Sequence, residues 1–222
     1  YLSRYRAWAW SAPLIARATR RMHRDAQINA VTSEAMRSEA RALRLEHVHV
    51  VRRAVDTRLF HPGNGPTAAS PCDNQNSRLR LLFVGRLAAE KDLNRLVPLM
   101  HRRDDLELTL VGDGPQRANL ERDFRGTRTH FAGVLRGEKL AQTYRDHDLF
   151  VFPSVTETLG LVLLEAMASG LPPLAARSGP TKEQIVDGDT GFLFSDENDL
   201  ERRLEALAGE QGARIRSSVG AA

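Results

Sequence analysis

Cysteine occurs once in this chain, at Cys72, so no internal disulfide can form. That usage fits a reducing compartment. The thiol sits in a polar, Pro-containing stretch with no activating partner beside it, which makes it a poor candidate nucleophile. No grouping of His, Cys and carboxylates has metal-ligand spacing, so no metal site is expected. A run of about 18 apolar residues is also missing, and with it any membrane-spanning helix. The opening residues, YLSRYRAWAW, hold neither an initiator Met nor the apolar core of a signal peptide. From this start the chain is expected to be a cut piece of a longer one.

What is present is an ordinary globular balance: 222 residues, 41% apolar and 27% charged, enough for one full core and part of another. The net charge of +4 is unevenly placed. Six arginines and no acid fall within residues 1–24, whereas 183–210 is rich in Asp and Glu. Such a basic end suits phosphate, nucleic acid or a membrane surface, and equally a solvated helix face.

Pro13 is placed to open a helix through "LIARATRRMHRDA". "QINAVTSEAMRSEARAL" reads as a short strand and a helix N-capped by Ser33, and "HVHVV" as another strand. Residues 61–78 have almost nothing to bury and read as a linker. After it the pattern alternates. The strands "LRLLFVG", "LELTLVG", "THFAG", "LFVFPS", "PPLAA" and "GFLF" are separated or followed by the helices "LNRLVPLMHRR", "PQRANLERDF", "EKLAQTYRDH", "LGLVLLEAMASG" and "ENDLERRLEALAG". Strands this apolar are expected to be covered on both faces, as in a doubly wound parallel α/β domain. In that class ligands bind at the carboxyl ends of the strands, here just after Val84, Val111, Phe131 and Phe152.

The residues at those ends suit a phosphorylated, hydroxyl-rich ligand. After the first strand Gly85 permits a tight turn, and Arg86 and Lys91 follow as an anion clamp. "VGDGPQRANL" has Gly112 and Gly114 before Pro115, but Arg117 stands where a dinucleotide fingerprint needs its last glycine. It therefore reads as a tight turn with Pro115 opening the helix. In "PSVTETLGLVLLEAMASG" a helix starting near Thr158–Gly160 offers unpaired N–H groups and a dipole that favours an anion. Gly160 lets a ligand approach them. Glu157 stands just outside that helix, and Glu165 lies eight positions on, within it. Two carboxylates beside two cations fit a nucleotide sugar, whose diols donate paired hydrogen bonds to carboxylates and whose diphosphate needs neutralising.

"GRLAAEKDL", "LTLVGDGPQRANLE", "FAGVL", "LFVFPSVTETLGLVLLEAMASGLPPLAA" and "SGPTKEQIVDGDTGFLF" occur in the order seen in one family. With these motifs the chain resembles the family 4 (group 1) retaining glycosyltransferases, densely over Arg78–Phe194 and more loosely over "INAVTSEAMRSEA" and "RAVDTRLFHP". The resemblance implies a GT-B fold. Residues 1–60 would be the truncated end of the acceptor-side Rossmann-like domain, 61–78 a linker, and 79–222 the nucleotide-sugar domain with its last helix cut short.

It implies roles as well. Arg86 and Lys91 match the pair that holds the donor diphosphate and stabilises it as it leaves. Val134 and Leu135 sit where backbone groups meet the base. Glu157 matches the first glutamate of an E-x7-E motif, near the donor sugar, and Glu165 the second, which bonds the ribose. Thr158, Leu159, Gly160 and Leu161 match the loop whose amides touch sugar and phosphate. The implied reaction moves a hexosyl group from a UDP- or GDP-sugar to an acceptor with retention of configuration, with no bound metal or other cofactor.

Some features depart from the family pattern. Arg53 and Ala54 replace a usual glycine, and the acceptor-side glycine-rich loop and histidine would lie upstream of Tyr1. The piece is therefore expected to bind donor better than it turns over. Leu159, where many members carry Phe, resembles members that glycosylate lipids. Both tryptophans and two of the three tyrosines lie in the arginine-rich start, which suits a membrane interface. A cytoplasmic protein, peripheral on the inner face of the membrane, is the matching expectation. Competing readings are an epimerase or phosphorylase of the same architecture, a non-catalytic nucleotide-sugar module, and a basic nucleic-acid binder. The phosphorylase lacks a pyridoxal-lysine motif, and the nucleic-acid binder lacks a helix-turn-helix, zinc or aromatic-sheet signature.

Overall fold

The computed structural model describes residues 12–51, 54–63, 78–156 and 160–220. Cys72, Trp8, Trp10 and most of the expected linker lie outside them. The chain forms two compact units, one of residues 1–53 with 156–159 and the other of residues 54–155 with 160–222.

In the first unit, helix α1 (Ala12–His23) is followed by strand β1 (Asn29–Val31), helix α2 (Glu34–Ala42) and strand β2 (Val48–Val50). The two strands pair in parallel, Asn29 opposite Val48 and Val31 opposite Val50. Ser33 caps α2 as its sequence position suggests, its hydroxyl accepting from the Met36 N–H at 3.1 Å.

The second unit holds β3 (Leu79–Val84), α3 (Val97–Arg102), β4 (Leu106–Val111), α4 (Arg117–Asp123), β5 (Thr129–Gly133) and α5 (Gly137–Arg145). It continues with β6 (Leu149–Phe152), α6 (Leu161–Ala168), β7 (Pro173–Ala176), α7 (Gly179–Lys182), β8 (Phe192–Phe194), α8 (Glu197–Leu207) and α9 (Gly209–Gly220). All six strands are parallel, in the order β5-β4-β3-β6-β7-β8. The chain thus starts in the middle at β3, winds out to β5, and crosses back to start again at β6. Between β3 and β6 successive connections leave toward opposite edges, the position at which a doubly wound sheet opens a crevice.

The period-2 alternation of each strand explains the double-faced burial. Leu81, Phe83, Leu108, Leu110, Val151 and Phe194 form part of one core cluster. Leu82, Val84, Phe150, Phe152, Ala175 and Leu193 belong to the other, on the opposite face. At the amino end of the crevice Asp148, buried, accepts from the Arg80 backbone N–H at 2.9 Å and from its guanidinium at 3.0 and 3.1 Å. This bidentate pair pins β3 to the start of β6.

Three details differ from the sequence expectation. Residues 54–60 were expected in the first domain, but Phe60 is buried in the second unit's core, edge-on to Tyr144 at 5.7 Å between ring centroids. "LNRLVPLMHRR" is not one helix: Leu93–Leu96 is a 3-10 turn and α3 begins at Val97. Pro98 has no N–H to donate, so it is tolerated only in a first turn, and the α-helix must start around it. Helices α7 and α9 were not anticipated. α9 sits at the C-terminal end of the described chain, with Ala213 and Val219 buried and Arg216 donating to the Leu207 carbonyl at the end of α8.

Candidate functional site

The carboxyl ends of β3, β4 and β5 are locked together by backbone. The Gly85 N–H donates to the Val111 carbonyl at 2.9 Å, and the Gly112 N–H to the Gly133 carbonyl at 2.7 Å. A Cβ on Gly112 would lie 1.9 Å from the Gly85 carbonyl oxygen, so only glycine lets these loops close on each other. Gly114 is needed in the same way, since its Cβ would meet the Leu87 oxygen at 2.4 Å. Leu87 also holds this loop by donating to Asp113 O and accepting from Gln116 N–H, both at 2.9 Å. Gly112 and Gly114 thus serve a backbone clasp, in keeping with the tight-turn reading. Pro115, expected to open the helix, lies in a turn before it, and α4 begins at Arg117.

On this platform sits the loop after β3. Arg86 ion-pairs with Glu90, and that pairing, together with a backbone hydrogen bond, holds the Glu90 carboxyl below the usual carboxylate range. The backbone bond is the largest contribution. Lys91 lies in a 3-10 turn over Ala89–Lys91 and folds back over the strand end, its Cε 4.0 Å from where Gly85 would bear a Cβ. Across the crevice, the Ser154 hydroxyl donates to the Glu90 carbonyl at 2.8 Å. Arg95 donates to the Pro153 carbonyl at 3.5 Å and to Glu197 at 2.7 Å. The Arg86–Lys91 loop is therefore tied directly to the segment that follows β6.

Gly160 N-caps α6 with φ +57, left-handed backbone that glycine adopts without strain. The helix starts at Leu161, one residue past the expected range. The Leu163 N–H is already bonded to Gly160 O at 3.0 Å, while those of Leu161 and Val162 have no intrahelical acceptor. A Cβ at Gly160 would meet Gln184 Nε2 at 2.8 Å. Because Gln184 Nε2 ends a flexible side chain that can swing aside, the left-handed backbone is the firmer demand for glycine at this position. Glu157, Thr158 and Leu159 lie outside the described residues.

Glu165 sits one turn into α6, half-buried, and accepts from the hydroxyl of Tyr144 at 2.8 Å. Tyr144 is fully buried on α5. Burial, and then the neighbouring carboxylate, push the phenol far up, so it stays a neutral donor. Burial likewise raises the Glu165 carboxyl, against the lowering effect of the Tyr144 bond. Because its folded pKa exceeds its unfolded one, stability associated with Glu165 is full below the unfolded pKa and is lost as pH rises through the folded value. Glu165→Gln is accordingly expected to keep or raise the melting temperature at pH 7 while flattening its decline as pH rises from the ordinary carboxylate range to neutrality. Thermal melts across that range check this, and a variant that melts lower at pH 7 while declining as steeply as the parent contradicts it.

Val134 and Leu135 follow Gly133 at the end of β5, Val134 exposed and Leu135 packed against a core cluster. They lie two strands from β3, along the same sheet end. The structure thus gathers Gly85, Arg86, Lys91, Val134, Leu135, Gly160, Leu161 and Glu165 onto loops and helix starts at that end. Sequence reasoning missed Glu90, Ser154 and Tyr144. Glu90 alone had a local signal, since it stands four residues after Arg86, the spacing of a one-turn ion pair. Ser154 and Tyr144 reach their partners only through tertiary packing. Among the described residues, no three His, Cys, Asp or Glu side chains are grouped as metal ligands, and no helix is long and apolar enough to cross a membrane.

Comparison with known proteins matches residues 78–210 to the family described as glycosyl transferases group 1. The sulfoquinovosyl transferase SQD2 of Arabidopsis thaliana is 34% identical, over 96% of this chain and 44% of its own length. A GDP-mannose-dependent alpha-mannosyltransferase of Mycolicibacterium smegmatis is 37% identical, over 85% of this chain and 47% of its own. The chain therefore spans less than half the length of these relatives. Among solved structures, Anabaena Alr3699/HepE in complex with UDP and glucose superposes with a TM-score of 0.77 at 22% identity, covering 93% of this chain and 61% of that one. Sucrose-phosphate synthase of Thermosynechococcus elongatus gives 0.72 at 26% identity, covering 93% and 56%.

Proposed function

Because this chain belongs to the group 1 glycosyltransferases, we propose that it carries the donor half of an enzyme that moves a hexosyl group from a nucleoside-diphosphate sugar to an acceptor with retention of configuration. One observation carries the reading. The cationic Arg86–Lys91 loop and the segment leading to the α6 N-terminus flank the β3/β6 switch point and are joined by the Ser154–Glu90 hydrogen bond.

In this reading the donor diphosphate lies against Arg86, Lys91 and the N–H groups of Leu161 and Val162. Charge develops on that diphosphate as the sugar leaves. Fixed cations and helix-end amides stabilise it without reorganising, which is the largest catalytic contribution in many enzymes. The reading asks for no bound metal, since the two cations take up the charge. Glu165, oriented by Tyr144, accepts from the ribose hydroxyls; Val134 and Leu135 present backbone to the base; Glu157 stands by the donor sugar. The raised Glu165 carboxyl loses part of its burial penalty when it gains sugar hydroxyl donors.

Relatives and neighbours named for GDP-mannose and UDP support a nucleotide-sugar donor and leave both bases open. Calorimetric titration of the 222-residue chain with UDP and with GDP decides between them. Saturable binding of one nucleotide is expected, and heat from neither would overturn the reading.

A further inference from the structure

The first unit contains a second concavity that the donor site does not use. It is a cavity of about 350 Å³ whose walls carry Arg17, Arg20, Arg21, Arg24 and Arg44, with Glu46 the one acid. Four of these arginines recur at helical spacing on one face of α1 and just beyond its end. The fifth comes from the opposite wall, just past α2. Among the described residues no carboxylate pairs with Arg17, Arg21 or Arg44, while Arg24 reaches Asp25 at 3.3 Å. Cations near a helix C-terminus are favoured by its dipole. That half-charge offsets only a fraction of five guanidinium groups, and Arg44 belongs to another element.

Two features mark the cavity as built. Arg44 holds φ +58, with its N–H bonded to Arg41 O at 2.8 Å and the next N–H, of Leu45, to Ala40 O at 3.0 Å. This is the helix-ending position where glycine is usual and an arginine is strained. His47, three residues on, is also left-handed at φ +51. Strained backbone of this kind concentrates at binding sites. The two walls are also cross-linked: buried Asn29 meets His23 Nδ1 through its Oδ1 at 2.6 Å and donates to the Glu46 carbonyl at 2.8 Å.

We propose that this cavity binds a phosphate group. Guanidinium forks match phosphate oxygens in paired hydrogen bonds, and the volume lies in the range of small-ligand pockets. The phosphate can come from a soluble compound or from a lipid headgroup. Leu14 and Met22 on α1 and Ile28 just after it are 61%, 81% and 66% exposed, apolar side chains next to the basic wall that a lipid surface would cover.

The test uses the whole chain in an Arg86→Ala, Lys91→Ala background, so that the donor loop does not contribute. One arm titrates inorganic phosphate; the other measures co-sedimentation with phosphatidylcholine vesicles doped with phosphatidic acid. The probe variants are Arg44→Gly, which relieves the strained backbone and so retains or raises thermal stability, and Arg21→Gln combined with it. Loss of phosphate affinity by about tenfold or more per arginine supports the proposal and assigns a soluble ligand. The same loss confined to the vesicles supports it and assigns a headgroup. Binding unchanged by both variants in both arms, or absent from the parent in both, overturns it. Since the donor-loop cations are already removed, neither outcome depends on the glycosyltransferase reading.

Discussion

Replacing Arg86 and Lys91 together with alanine is expected to weaken binding of the preferred nucleoside diphosphate by about 10²-fold or more, since each charge-assisted bond to phosphate is worth roughly 1.5–3 kcal/mol. The fold should survive. Arg86 is largely exposed and pairs with Glu90 in the same loop, and the Ser154 tie across the crevice runs through the Glu90 backbone carbonyl. Melting temperature should therefore stay close to that of the parent while affinity collapses. Glu90→Gln separates positioning from charge. It leaves both cations in place but removes the carboxylate that orients Arg86, so the loss of affinity should be smaller than in the double variant. Calorimetry of the three proteins checks the order. A double variant that binds as well as the parent means the diphosphate lies elsewhere.

Gly112→Ala is expected to cost the second unit on the order of 3 kcal/mol, from a forbidden contact and unfavourable backbone together. Its φ is +131, and the added methyl would lie 1.9 Å from a backbone oxygen that has no rotamer by which to move away. Gly126 supplies the comparison. Its φ is +83, but nothing lies within 4 Å of a Cβ built there, so Gly126→Ala should cost only about 1 kcal/mol of backbone strain. Urea denaturation of both variants measures the difference. Because Gly112 approaches the carbonyl of Gly85, the residue before Arg86, its substitution should also displace the cationic loop and weaken nucleotide binding, whereas Gly126→Ala should leave binding intact. Equal stability of the two variants would mean that the clasp between the β3 and β4 ends is not needed.

The sheet was legible because burial on both faces leaves near-continuous apolar strands, and each expected strand from Leu79 to Phe194 is present. Ser33 was legible as a cap for a local reason: its oxygen serves an N–H three residues away. What could not be read depends on contacts distant in sequence. Phe60 resembles the end of the first domain, yet its ring is buried against Tyr144, more than eighty residues on, and this moves the boundary to Ala54. Gly160, which suggested only ligand approach, also answers a left-handed backbone at φ +57 that shows only in the folded chain. The order β5-β4-β3-β6-β7-β8, which puts the Arg86 loop beside the segment leading to Gly160, is a tertiary arrangement that alternation alone does not reveal. Glu157, Thr158 and Leu159 owe their proposed roles entirely to their place in the motif.

Amide chemical shifts of the isotope-labelled chain, followed as nucleoside diphosphate is added to saturation, test the location of the donor site most directly. The account predicts that Gly85, Arg86, Lys91, Val134, Gly160, Leu161 and Val162 move together along one binding isotherm. Saturation with the Gly85–Lys91 and Gly160–Val162 amides unmoved would contradict it.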